Sequence, residues 1–210
     1  MKKTAVWLVA VLAVAGGAIM LWGLRPATPD LQMPGLQWFD PAPRLPADGL
    51  KDTEGRPFRW DWTQGWTVAF FGYTHCPDFC PDTLAVLARV ESQLQDAPPH
   101  RVVFVSVDPY RDTPEVMREY LAYFDERFIG VTGSPEALQA VTAEAGAFYD
   151  YEDPDSGEAF RVPDAKALEK GYVVNHFGAL VLVDPDGVMR GHLYPPLNVE
   201  RVSRLIRALQ

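Results

Sequence analysis

An apolar run from Val68 to Tyr73 passes without a break into Thr74-His75-Cys76-Pro77-Asp78-Phe79-Cys80-Pro81. Beyond it, from Asp82 to Leu94, the apolar positions Leu84, Leu87, Val90 and Leu94 recur at helical spacing. A buried strand feeding straight into an amphipathic helix commits the chain to layered α/β packing. The two cysteines of the chain both fall in the turn between them. At their separation they are expected on one face of the first helical turn, within reach of a shared partner. Unpaired N–H groups and the positive end of the helix dipole favour thiolates there, so their pKa should fall below the free value of about 8.5. Pro77 and Pro81 suit the place, since proline lacks a donor and is tolerated in a first turn. A structural disulfide and a working dithiol both fit the pair. A bridge closing so short a loop restricts the unfolded chain little, which favours the dithiol and leaves redox chemistry and metal binding open.

The remainder continues the alternation. Gly49 to Trp62 reads as a short hairpin turning at Thr53-Glu54-Gly55-Arg56. Arg101 to Val107 is a second apolar strand, followed by Asp108-Pro109-Tyr110-Arg111-Asp112-Thr113-Pro114, where Asp112 or Thr113 caps a helix over Glu115 to Phe124. A strand at Ile129 to Thr132 and a helix capped by Ser134 and running to about Phe148 come next. Tyr149 to Lys170 is acidic and irregular and reads as an inserted surface loop. Ala179 to Val183, the turn Asp184-Pro185-Asp186-Gly187 and Val188 to Tyr194 form an antiparallel pair, and Asn198 caps a last helix, Val199 to Leu209.

At the start, Lys2 and Lys3 precede an uncharged apolar stretch from Thr4 to Leu24, long enough to cross a bilayer as a single transmembrane helix. The lysines keep the N-terminus cytoplasmic, so residues 1–25 read as an uncleaved anchor in a bacterial inner membrane, with the soluble part in the periplasm. Residues 26–46, rich in proline, read as a semi-extended linker, and 47–210 as one domain. The part beyond Arg25 holds all 28 acidic residues against 16 of the 19 basic ones, a formal balance of −12. That sign disfavours nucleic acid as a partner.

Of the four histidines, His100 follows Pro98-Pro99 and reads as surface, and His192 on an outer strand reads as solvated or satisfied. His75 abuts Cys76, but in an extended turn its side chain points away from the thiol. His176 sits in Val173-Val174-Asn175-His176-Phe177-Gly178, just before a core strand, at the kind of strand end where ligand crevices form. Taken alone, it reads more readily as a histidine hydrogen-bonded beneath a loop.

Cys76-Pro77-Asp78-Phe79-Cys80-Pro81, then Asp108-Pro109-Tyr110-Arg111-Asp112-Thr113-Pro114, then His176 ahead of Ala179 to Gly187 occur in this order. In this the chain resembles the Sco/SenC family, membrane-anchored, thioredoxin-like copper chaperones for cytochrome c oxidase assembly, from Gly49 to the C-terminus and in the anchor. The resemblance implies a thioredoxin-like α/β domain with an N-terminal hairpin and an inserted loop. It implies Cys76, Cys80 and His176 as copper ligands, with Cys76 and Cys80 also able to form a redox disulfide. The neighbours His75, Asp78 and Asn175 become candidates to orient or tune those ligands. It further implies delivery to the CuA site of oxidase subunit II, a periplasmic copper donor and a periplasmic thioredoxin-like reductant. Where the family usually has Asp before the histidine and Ser or Thr after it, this chain has Asn175 and Phe177, and its acidic stretch from Asp150 to Glu169 is longer than usual.

Cu(I) favours thiolates and low coordination number, so two sulfurs and an imidazole form a plausible trigonal site, and Cu(II) is a second occupant. A helix turn carrying both sulfurs and a mobile loop carrying the nitrogen suit a carrier that must also let go. Structural zinc normally takes four protein ligands. Three other readings compete. A thiol-disulfide oxidoreductase of this fold generally has two residues between its cysteines and a proline in the facing loop, where Asn175 to Gly178 has none. A thiol peroxidase resembles others of its group in a Thr or Ser where this chain has Tyr73. An anchored redox sensor would signal through the dithiol without metal.

Overall fold

The computed structural model describes Pro29, residues 31–94 and residues 96–209. The expected membrane helix, Thr4 to Leu24, lies outside the described residues, and among the described residues no helix is long and apolar enough to cross a membrane.

The apolar run after Gly65 forms β3, Trp66–Gly72, buried along its whole length because it lies between neighbours on both edges. It pairs in parallel with β4, His100–Ser106, which pairs in parallel with β5, Ile129–Gly133. On its other edge it pairs antiparallel with β9, Leu180–Val183, which pairs with β10, Met189–Leu193. Two short antiparallel strands finish the sheet: β1, Leu36–Trp38, beside β10, and β2, Leu50–Asp52, beside β5. The order across the sheet is β1-β10-β9-β3-β4-β5-β2.

The helices start where the sequence places caps. In α1, Phe79–Gln93, the positions Leu84, Leu87 and Val90 are buried. Thr113, not Asp112, caps α2, Pro114–Ala122, accepting the Val116 N–H, and Pro114 occupies its first turn. Ser134 caps α3, Pro135–Glu144. The turn from Asp184 to Gly187 closes as expected, with Gly187 at φ +80 and the buried Asp184 carboxylate accepting the Asp186 and Val188 N–H groups and Arg190 Nε.

Two expectations are corrected here. Within the stretch 26–46 expected to be a semi-extended linker, β1 joins the sheet, Arg44 bridges to Val188, and Leu45 is buried. The prolines there interrupt periodicity without preventing edge pairing, the place where a strand tolerates them. The expected hairpin over Gly49 to Trp62 turns where it was placed, with the Asp52 N–H donating to the Arg56 carbonyl and the Phe58 N–H to the Leu50 carbonyl on either side of the bridge Lys51↔Pro57, and the other edge of β2 pairs with β5. The expected irregular loop, Tyr149 to Lys170, contains β6, Tyr149–Glu152, β7, Ala159–Phe160, and a short helix α4, Ala165–Lys170. With β8, Val173–His176, these strands make a separate sheet in the order β7-β6-β8. Tyr151 anchors it, stacked on Phe160, edge-on to Tyr172, and donating its buried hydroxyl to the Val107 carbonyl. The last helix, α5, Val199–Ala208, is capped by Asn198 and packs against α1.

Candidate metal centre

Cys76 precedes α1 rather than sitting in its first turn, which corrects the sequence expectation, while Cys80 lies inside the helix and is fully buried. Asp78 occupies the N-cap position and makes no side-chain cap. The sulfur of Cys76 takes over part of that role by accepting the Cys80 N–H at 3.4 Å. The consequence is electrostatic. The Cys80 thiol, the His176 ring and the N–H groups of Cys80 and Asp78 outweigh partial burial and hold Cys76 down to about 4. Cys80 is pushed up, first by the neighbouring Cys76 and then by its own burial. The pair therefore rests as one thiolate and one thiol.

His176 arrives from the small sheet. Strand alternation in β8 turns Val174 and His176 inward and Val173 and Asn175 outward. That puts Nε2 of His176 3.4 Å from Cys80 Sγ. On its far side, Nδ1 lies 3.2 Å from the Phe177 carbonyl, which can only accept, so a ring proton at Nδ1 is satisfied there and Nε2 is the nitrogen that faces the sulfurs. The two sulfurs and an imidazole nitrogen all lie within 4.8 Å of one another. Phe70, Tyr73 and Phe79 surround the imidazole, with ring centroids 6.0, 5.8 and 6.1 Å away. Burial pushes the Tyr73 phenol up to about 12.

Two glycines make this approach possible. A Cβ at Gly72 would meet Cys80 Sγ at 2.7 Å and Phe104 Cε2 at 2.8 Å, and one at Gly178 would meet Phe79 Cζ at 2.9 Å. The first lets the buried thiol sit against β3. The second lets Phe79, 37% exposed, lie across the connection from His176 to β9.

The flanking candidates behave differently from one another. The half-exposed His75 ring faces Thr74 Oγ1 at 3.1 Å and Asp112 at 3.6 Å, away from the sulfurs, as expected. Asp78 contributes its backbone N–H to Cys76, while its side chain is exposed. Asn175 points outward and donates to Asp150 and Glu152, each at 2.9 Å, so it does not touch the imidazole. His176 lies on a strand rather than on the expected mobile loop. His100 is not surface: its ring is clamped by Glu91 at 2.6 Å and the Pro98 carbonyl at 2.8 Å. His192 is buried among Phe39, Phe177 and Tyr194 because β1 covers the strand taken to be outermost.

Sequence reasoning offered Asp112 only as a helix cap. Its buried carboxylate accepts the Thr74 N–H at 2.9 Å, the Thr74 hydroxyl at 2.6 Å and the Ser106 hydroxyl at 2.6 Å, which fixes the chain just before Cys76. Burial raises its pKa, opposed by those same hydrogen bonds. The signal was present, because Asp112 falls where Thr113 already supplies the helix cap and so was free for other work.

The sequence profile of the family described as SCO1/SenC matches residues 49–210. A protein of Stutzerimonas stutzeri named as copper-binding is 36% identical over 165 residues, 77% of this chain and 74% of that one. The human mitochondrial SCO2 homolog is 32% identical over 162 residues, 75% of this chain and 56% of its own length. This chain thus spans little more than half the length of such mitochondrial relatives. Among solved structures, Arabidopsis thaliana ScoI with copper bound matches with a TM-score of 0.63 at 28% identity, covering 76% of this chain and 94% of that one. The likeness bears out the thioredoxin-like α/β expectation for the described domain.

Proposed function

The chain belongs to the SCO1/SenC family, and from that premise we propose that it is a copper carrier binding one Cu(I) through Cys76, Cys80 and His176. The observation that carries this reading is the convergence of two sulfurs and an imidazole nitrogen within 4.8 Å. Such a donor set suits a soft, closed-shell ion at low coordination number, and three ligands are one fewer than structural zinc normally takes. The name of the Stutzerimonas relative and the copper in the Arabidopsis structure point the same way. The destination we propose is the CuA site in subunit II of cytochrome c oxidase, with a periplasmic donor supplying the metal and a thioredoxin-like reductant keeping the cysteines reduced. Residues 1–25 anchor the chain in a bacterial inner membrane, and the domain from about residue 47 works in the periplasm. X-ray absorption of the copper-loaded chain tests the site: two sulfur scatterers and one nitrogen support it, and a sulfur-only or oxygen-rich shell overturns it.

The uneven thiol pair favours a second reading. A thiolate at Cys76 beside a buried thiol at Cys80 is the arrangement of an attacking and a resolving sulfur, so the same chain would reduce a disulfide in the oxidase copper site. Reduction of a disulfide substrate that persists in His176→Ala would favour this reading over metal transfer.

A further inference from the structure

The halves of the metal centre hang on different sheets, and the turn from Asp108 to Asp112 touches both. At one end Asp112 holds Thr74, just ahead of Cys76. At the other end Asp108, fully buried, accepts the Tyr172 hydroxyl at 2.6 Å and Arg111 Nε at 2.6 Å. Arg111 also donates through Nη1 to the Tyr172 carbonyl at 3.0 Å. Its guanidinium lies 3.6 Å over the Tyr172 ring and 5.6 Å from the Tyr73 ring. Tyr172 immediately precedes β8, and Tyr73 immediately follows β3. Arg111 therefore sits between the segment that carries the thiols and the strand that carries the imidazole.

This cluster is a costly way to obtain stability alone. Buried ion pairs often break even or lose against apolar packing, and Arg111 Nη2 is buried with no acceptor among the described residues. What such a pair does supply is a fixed register between the elements it joins. One guanidinium reaches the Asp108 carboxylate through Nε and the Tyr172 carbonyl through Nη1, a pair of contacts from a fixed fork that lysine cannot copy.

We propose that Asp108, Arg111 and Tyr172 form a positioning clasp that sets where His176 stands relative to the cysteine pair. The clasp touches no ligand; it acts by holding the start of β8 against the turn that also holds Thr74. For its metal-dependent test the proposal rests on the copper reading above.

The test is a double-mutant cycle in the full-length chain. Tyr172→Phe removes only the hydroxyl that Asp108 accepts and keeps the ring under Arg111. It should weaken Cu(I) binding about tenfold, the scale of changes to groups that orient a ligand, and have no further effect in a His176→Ala background. Arg111→Lys should weaken binding at least as much; if it fails to fold, Tyr172→Phe carries the test. A metal-free measurement separates this idea from the copper reading: the His176 ring signals in NMR spectra of the reduced protein should shift or broaden in Tyr172→Phe, while those of His100, held by Glu91, stay put. An equal loss of affinity in both backgrounds, or unmoved His176 signals, overturns the clasp. A parent chain that binds no Cu(I) overturns the carrier reading, and the ring signals still decide the clasp.

Discussion

Cys80 Sγ and His176 Nε2 stand 3.4 Å apart although 96 positions separate them in sequence. The contact joins a helix that follows the central strand of one sheet to the end strand of another, and it is the contact on which the proposed metal capture depends.

Removing the imidazole should leave two sulfurs without their third partner. His176→Ala is expected to lower Cu(I) affinity by at least about 100-fold, the upper end of what disturbing a ligand's surroundings alone produces, and Cys76→Ala or Cys80→Ala to abolish stoichiometric binding. Competition against a Cu(I) chelator measures this. Retention of one tightly held copper after all three single changes would sink the ligand assignment.

Because Cys76 is already a thiolate at neutral pH and Cys80 is not, loading should release about one proton per Cu(I) rather than two. Affinity should then fall about tenfold per unit as pH drops from neutral, and more steeply as the thiolate itself titrates near 4. Calorimetry in buffers of different ionisation enthalpy counts the protons; a count of two would show that both thiols begin protonated.

Gly72→Ala places a methyl group 2.7 Å from Cys80 Sγ and 2.8 Å from Phe104 in the parent geometry. Strain of this kind costs about 1–3 kcal/mol, and here the thiol must move to relieve it. Urea unfolding should show the loss and chelator competition a weaker site. Unchanged copper affinity would mean that the sulfur position is less tightly specified than the packing suggests.

Burial among Phe39, Phe177 and Tyr194 pushes His192 down to about 4 from 6.5, and its Nε2 has no hydrogen-bond partner among the described residues. For a group depressed in the fold, the contribution is complete above the unfolded pKa and is lost as pH falls toward the folded one. Relative to a His192→Phe variant, the parent should therefore lose on the order of 3 kcal/mol between pH 6.5 and about 4. Parallel unfolding profiles for the two proteins would refute this.

Asn175 joins two acidic neighbours through its amide. Asn175→Asp would replace that donor with a third like charge, costing about 1 kcal/mol and less as salt is raised. Because the side chain points away from the imidazole, copper affinity should change little. A large affinity change would show that the outer face of β8 governs its inner one.

Much of this architecture was legible from local pattern. The apolar runs of β3, β4 and β9 and the caps Thr113, Ser134 and Asn198 gave the order of elements because each signal is contained within a few residues. β1, β6 and β7 were not legible, since short strands of two to four residues carry too few side chains to show a period. Missing β1 left β10 looking like an edge, and so left His192 reading as solvated or satisfied rather than buried among aromatic rings. The cysteine turn announced itself by its spacing. His176 was found only by resemblance, because nothing local to Val173–Gly178 records that the far sheet folds over the thiols. The Asp108–Asp112 turn was seen as a helix start, and its second task depends on Tyr172 and Thr74, which only the fold brings near.

The separate three-stranded sheet makes the nitrogen donor a feature of an interchangeable cassette. Insertions or shortenings between β6 and β8 alter the reach of one ligand while the sulfur pair stays on its own scaffold. On the carrier reading, descendants of such a chain would retune how readily copper departs without rebuilding the sulfur pair, and a chimera exchanging only that cassette with a relative would take on the relative's release rate along with it.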